Sequence, residues 1–209
     1  MMATFEAAVS TAALILAAGE SKRYGSPKQL IDWMGTPLLG HVVRQVGKWP
    51  VDSIYVVLGS NAEQIMESVD LSGTTVVENL EWEEGMASSI RVGLDALANA
   101  TGFERTFIVL ADQPKVQIEV IEKLLAEQKR SRLPVAIPRY RYTWGNPVLI
   151  DRVIWARIMA NIKGDTGARR LFKAHPDWIE EVWFEDLPPR DIDTRFDLDD
   201  MRPKPRRAL

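Results

Sequence analysis

The chain predicts an α/β fold, a single domain built on a mostly parallel sheet. Short apolar, β-branched runs alternate with longer segments of helical period, the rhythm of strand-helix units. The first of these runs is followed at once by a glycine-bounded polar loop, at the place where open α/β sheets hold their ligands. The chain has 209 residues, 46% hydrophobic and 26% charged, which suits one core of ordinary size.

Taken in order, residues 1–10 read as a loosely held extension, residues 11–201 as the domain and residues 202–209, with their prolines and basic side chains, as a flexible basic tail. Strands are expected at residues 12–17, 53–58, 74–78, 106–111 and 134–138. Pro37 suits the start of a helix running to about residue 49, and Asn61 is placed to cap a helix over residues 62–68. Ile90, Leu94 and Leu97 share one face of a helix over residues 86–98. A further helix covers residues 117–129, and parallel pairing then requires right-handed crossovers. Residues 139–149 break the alternation and read as an edge hairpin or a lid.

A net charge of −3 gives no general attraction to nucleic acid or to an anionic membrane. The absence of cysteine excludes disulfides, thiolate catalysis and cysteine-bound zinc, and agrees with a cytoplasmic location. The early apolar run, residues 12–18, is far short of the roughly 20 residues that span a bilayer. His41 and His175 read as packing or surface residues.

Chemistry is expected in the loops after the strands. Gly19 and Gly25 bracket a loop whose backbone N–H groups can cradle an anion, and Arg23 and Lys28 add a forked and a mobile cation. Together they suit a triphosphate; a surface loop with solvated cations is the alternative. The spacing matches neither the dinucleotide fingerprint nor the Walker lysine motif. Asp112 emerges where a buried strand opens onto the ligand edge, as a Mg²⁺ ligand or as the cap of the next helix. Ser88 or Ser89 can cap the helix that follows Gly85, while Arg91 in its first turns opposes the helix dipole.

These segments resemble a family. Leu16-Ala17-Ala18-Gly19, Arg23, Gly25 and Pro27-Lys28-Gln29-Leu30 are similar to the nucleotidyltransferases of the molybdopterin cytidylyltransferase type. So are Gly85-Met86-Ala87-Ser88-Ser89, Leu110-Ala111-Asp112-Gln113-Pro114, Gly145-Asn146-Pro147, Gly164-Asp165 and Asp191-Ile192-Asp193-Thr194, over roughly residues 12–200. The resemblance implies a three-layer Rossmann-like nucleotidyltransferase fold in which an acceptor phosphate attacks a nucleotide α-phosphorus and pyrophosphate leaves. It implies catalytic roles for Arg23, Lys28 and Asp112, and Mg²⁺ on Asp112 and Asp193, with Asp191 as the alternative second ligand. Leu16, Ala17, Ala18, Gly19, Ser88 and Ser89 would then hold the nucleotide, CTP by the Ala-Ala-Gly form of the loop. Asn146 and Asp165 would face a molybdopterin-type acceptor, with a molybdoenzyme as the receiving partner. Transfer to a sugar or polyol phosphate, and a non-catalytic cofactor-binding accessory role, are the competing readings.

Overall fold

A computed structural model describes residues 9–100 and 102–202. Residues 1–8 of the expected extension and 203–209 of the expected tail lie outside the described residues. Ser10, placed with the extension, opens the first strand, and Arg202, placed with the tail, donates to the Asp32 carbonyl at 2.6 Å.

In chain order the strands are β1 (Ser10–Leu16), β2 (Asp32–Trp33), β3 (Thr36–Pro37), β4 (Ser53–Leu58), β5 (Thr75–Glu78), β6 (Phe103–Leu110), β7 (Val135–Tyr140), β8 (Thr143–Trp144), β9 (Val148–Asp151) and β10 (Ile179–Phe184). The helices are α1 (Leu38–Val46), α2 (Ala62–Ser68), α3 (Met86–Asn99), α4 (Ile118–Ser131), α5 (Trp155–Asn161), α6 (Arg169–Ala174) and α7 (Arg195–Met201). The main sheet runs β10-β7-β9-β6-β1-β4-β5, with β8 also pairing to β7. β1 lies between β4 and β6 and parallel to both, with Leu16 opposite Val57 and Leu110, so all three strands deliver their loops to one edge.

The sheet is covered on both faces, which is why β1 is almost continuously apolar rather than alternating. Its period of two still sorts the core. Ala13 and Ile15 pack with Leu39, Val42, Ile65 and Ile121 from α1, α2 and α4. Ala12, Leu14 and Leu16 pack with Ile90, Leu94, Trp155 and Ile158 from α3 and α5. Three layers result. A Cβ added at Gly93 would come within 2.6 Å of Leu14, so α3 lies closer to β1 than any larger residue permits, and its first turn reaches the ligand edge.

Several expectations need correction. Residues 139–149 do form a hairpin, β7 to β8, yet it is not at the edge: β10 runs parallel outside β7, and β9 inserts antiparallel between β7 and β6. Asn61 precedes α2 in a left-handed conformation and caps nothing; its Nδ2 donates to Ser60 Oγ at 2.8 Å. α1 starts at Leu38 and ends at Val46, short of residue 49. Among the described residues no helix is long and apolar enough to cross a membrane.

Candidate active site

A cleft of about 650 Å³ opens at the C-terminal ends of β1 and β6. One wall is the glycine loop. Leaving β1, the chain is tied to both neighbours: Ala17 N donates to Val57 O at 2.9 Å and Ala111 N to Leu16 O at 3.2 Å. Ser21 (φ 63°) and Gly25 (φ 83°) then turn the backbone through the left-handed region. Lys28 N donates to Ser21 Oγ at 3.1 Å, closing the loop onto the short 3₁₀ turn Lys28–Leu30.

That turn aims Lys28 across the cleft. Its ammonium donates to Asp112 Oδ2 at 2.7 Å and to Asp193 Oδ1 at 3.0 Å, while Arg23 reaches Asp193 Oδ2 at 2.9 Å. Burial by itself would lower the lysine pKa; the charge of Asp112 and the hydrogen bonds to both carboxylates outweigh it and hold Lys28 above its ordinary value. The two carboxylates therefore favour the charged form of Lys28, and Asp112 is not a helix cap: α4 begins at Ile118 with Gln117 before it and no side-chain cap.

Asp193 arrives from a distant part of the chain. After β10, Ile192 N donates to Asp112 O at 3.0 Å, and Gln113 Nε2 donates to Asp191 Oδ1 at 2.7 Å. Ile192 is fully buried among Ile31, Trp33, Leu38, Leu198 and Met201, a small core beneath the loop. Thr194 and Asp197 form a reciprocal capping box that starts α7. Three acidic residues of this segment, Asp191, Asp193 and Asp197, thus each have a partner within the fold. Asp191 is not on the cleft; burial first, and then the charge of Asp112, push its carboxyl upward against the hydrogen bond from Gln113.

The opposite lip is the turn before α3. Neither serine caps that helix. Ser88, buried and outside the cleft lining, donates to Gly85 O at 2.8 Å, and Asn79 Nδ2 donates to Ser88 Oγ at 2.8 Å and Ser89 Oγ at 3.1 Å. Ser89 lines the cleft. Met86 N at the helix start donates instead to Asp165 Oδ1 at 3.3 Å, which brings Asp165 to the cleft rim. Arg91 has its anion within the protein, Glu84 at 2.6 Å.

The structure therefore gathers Leu16, Ala17, Ala18, Gly19, Arg23, Lys28, Ser89, Asp112, Asp165 and Asp193 around one cleft, and leaves Ser88 and Asn146 off it. Asn146 instead precedes Pro147 in a cis peptide between β8 and β9. Sequence reasoning missed Gln29, Trp82 and Met86 in the cleft lining, and Asn79, which holds both serines from behind. Of these, Gln29 and Met86 lay within the motifs that carry the resemblance, and Trp82 is a large aromatic in a short turn at the ligand edge. Among the described residues no three acidic or histidine side chains converge as a ready-made metal cage.

A mostly parallel sheet between two helical layers, with a glycine loop, a lysine and two converging carboxylates at its ligand edge, is the arrangement of a nucleotidyltransferase. The MobA-like NTP transferase domain matches residues 13–178, and the chain belongs to that family. Bifunctional protein GlmU of Listeria welshimeri is 30% identical over 171 residues, 81% of this chain and 34% of GlmU, so the chain spans about a third of that relative's length. Rv0371c from Mycobacterium tuberculosis H37Rv superposes with a TM-score of 0.80 at 27% identity, covering 93% of this chain and 98% of that one. The manganese complex of the same M. tuberculosis protein gives a TM-score of 0.76 at 24% identity over 92% and 98% of the two chains.

Proposed function

We propose that the protein transfers a cytidylyl group from CTP to the terminal phosphate of a molybdopterin-type acceptor. An acceptor phosphate oxygen forms a bond to the α-phosphorus as the bond from that phosphorus to the bridging oxygen breaks, and pyrophosphate leaves with the electron pair. The observation that carries the reading is Lys28, a half-buried lysine whose ammonium meets two carboxylates brought together from distant parts of the chain, Asp112 and Asp193.

Two carboxylates converging on one cation are a donor set that suits Mg²⁺, which takes one or two carboxylates and completes its shell with water and substrate phosphates. Asp112 and Asp193 would hold the ion, and bound there it would neutralise charge on the phosphates. A structure of the similarly folded mycobacterial protein is a complex with manganese, which agrees with use of a divalent metal. The chain's own part is positional. The glycine loop offers N–H groups to the phosphates, Lys28 neutralises negative charge deep in the cleft, and Arg23, exposed at the mouth, meets the departing pyrophosphate. Ala17 and Ala18 leave room for the base beside the loop, and Asp165 at the rim faces the acceptor.

Similarity to GlmU across most of the chain favours a second reading, a sugar phosphate acceptor. Pyrophosphate release from CTP, GTP and UTP in Mg²⁺, with molybdopterin cofactor, a hexose 1-phosphate and a polyol phosphate as acceptors, separates the two. Turnover of CTP with the pterin acceptor alone supports the first; turnover only with a sugar or polyol phosphate moves the assignment to the second. Tight cofactor binding without turnover of any nucleotide would instead mark an accessory protein.

A further inference from the structure

Two buried glutamines stand next in sequence to the two charged residues that meet in the cleft. Gln29 follows Lys28 and is 5% exposed; Gln113 follows Asp112 and is 6% exposed. Each reaches away from its neighbour to hold another segment. Gln29 Nε2 donates to Ala17 O at 2.6 Å and Gly19 O at 3.0 Å, bracketing the bend of the glycine loop. Gln113 Nε2 donates to Asp191 Oδ1 at 2.7 Å, two residues before Asp193. The amide orientations follow from these partners, since reversing either would set an oxygen against a carbonyl or a carboxylate. In both, Oε1 is buried without a hydrogen-bond partner. A glutamine that merely filled space would be better replaced by an apolar side chain; here an unsatisfied acceptor is tolerated for the sake of the donor beside it.

We propose that Gln29 and Gln113 are positioning residues with separate duties: Gln29 sets the glycine loop for the nucleotide phosphates, and Gln113 registers Asp193 opposite Asp112 for the metal. The proposal rests on the reading of the cleft as a metal-assisted nucleotidyltransferase site. Its physical basis is that 3₁₀ turns and strand ends place consecutive side chains on different sides. The charged residue of each pair therefore reaches into the cleft while the glutamine amide is held by the segment that completes it.

The test is a double dissociation with Gln29→Met and Gln113→Met, which keep size and remove the donor. CTP affinity is measured by calorimetry in saturating Mg²⁺, and Mn²⁺ affinity by electron paramagnetic resonance without nucleotide, on full-length chains whose circular dichroism matches the wild type. Gln29→Met is expected to weaken CTP about tenfold and leave Mn²⁺ within about twofold; Gln113→Met is expected to weaken Mn²⁺ about tenfold and spare CTP in saturating metal. Equal losses of both ligands in both variants, or no loss in either, overturn the proposal while leaving the site reading intact. Wild-type protein that binds neither CTP nor Mn²⁺ overturns the site reading and the proposal together. Where a Met variant fails to fold, Gln29→Glu and Gln113→Glu put the same question. Each sets a carboxylate against the oxygens now held, so the same selective losses support the proposal and unselective ones refute it.

Discussion

The two walls of the cleft are built in opposite ways. The glycine-loop wall grows out of β1, the most deeply buried strand, and its backbone is tied to both neighbouring strands before it turns. The wall that carries Asp193 belongs to no sheet. It is a return segment held by a backbone bond to Asp112, side-chain bonds from Gln113 and Lys115, the ion pairs of Asp193 with Lys28 and Arg23, the contact of Arg202 with Asp32, and a small core around Trp33 and Ile192. That segment also lies beyond residue 178, where the family match ends. The chemistry therefore joins a rigid half to a docked half. The docked half is where the site is expected to open first, since local stability follows local burial.

The largest effect should come from the residue that both halves share. Asp112→Ala removes one partner of Lys28 and one expected metal ligand, and pyrophosphate release should fall by about 10²–10³ at saturating CTP. Wild-type rates in this variant would sink the mechanism.

Next come core truncations chosen to split the walls. Trp33→Ala and Phe107→Ala both empty fully buried aromatic sites and should each cost about 3–5 kcal/mol. Trp33 lies in the small core between the docked segment and the base of the glycine loop, whereas Phe107 lies in the main core. Hydrogen exchange should therefore show α7 losing protection in Trp33→Ala with β1 unchanged, and both losing it in Phe107→Ala. Loss of β1 protection in Trp33→Ala would mean that the two walls unfold as one unit.

The same contrast explains what the sequence made legible. The start of the glycine loop and Asp112 follow directly from strand-loop spacing, because each lies within a few residues of a strand end, and Lys28 follows from the loop motif. Five strands and four helices were foreseen for the same local reason. β10, and the insertion of β9 between β7 and β6, depend on pairings across long stretches of chain that periodicity does not encode. Ser88 was expected at the cleft because the family resemblance sets its segment against the nucleotide, with helix capping as the alternative. Asn79, coming off β5, claims both serines, and Asp165 takes the N–H of Met86 from 79 residues away. The resemblance left Asp191 as an alternative to Asp193; only the folded chain separates the one paired with Lys28 from Asp191, held by Gln113, and from Asp197, which closes a cap.

A smaller effect is expected at that cap. Thr194→Ala removes the hydroxyl that accepts from Asp197 N, at a cost of about 1 kcal/mol confined to the docked half. It should raise the exchange rate of α7 amides and the Mg²⁺ concentration needed for half-maximal rate, with little change in the CTP requirement. A change in the CTP requirement instead would place the cap in the service of the glycine loop.

The smallest effect tests the seam between the halves. His41 on α1 packs edge-on against Trp33 and hydrogen-bonds through Nε2 to Pro114 O at 3.2 Å, joining the small core to the loop after Asp112. Burial, with the nearby charges of Arg44 and Lys48, holds its pKa below the ordinary 6.5 despite the opposing bond to Pro114. A lowered folded-state pKa means that the neutral ring contributes stability above pH 6.5, and that this contribution is lost as pH falls from there through the folded value. The melting temperature of His41→Gln should accordingly fall less than that of the wild type on going from about pH 7 to pH 5, where an ordinary histidine titrates. Identical acid sensitivity in the two proteins would mean that the seam carries no histidine charge and that acid loosens the docked half through its carboxylates alone.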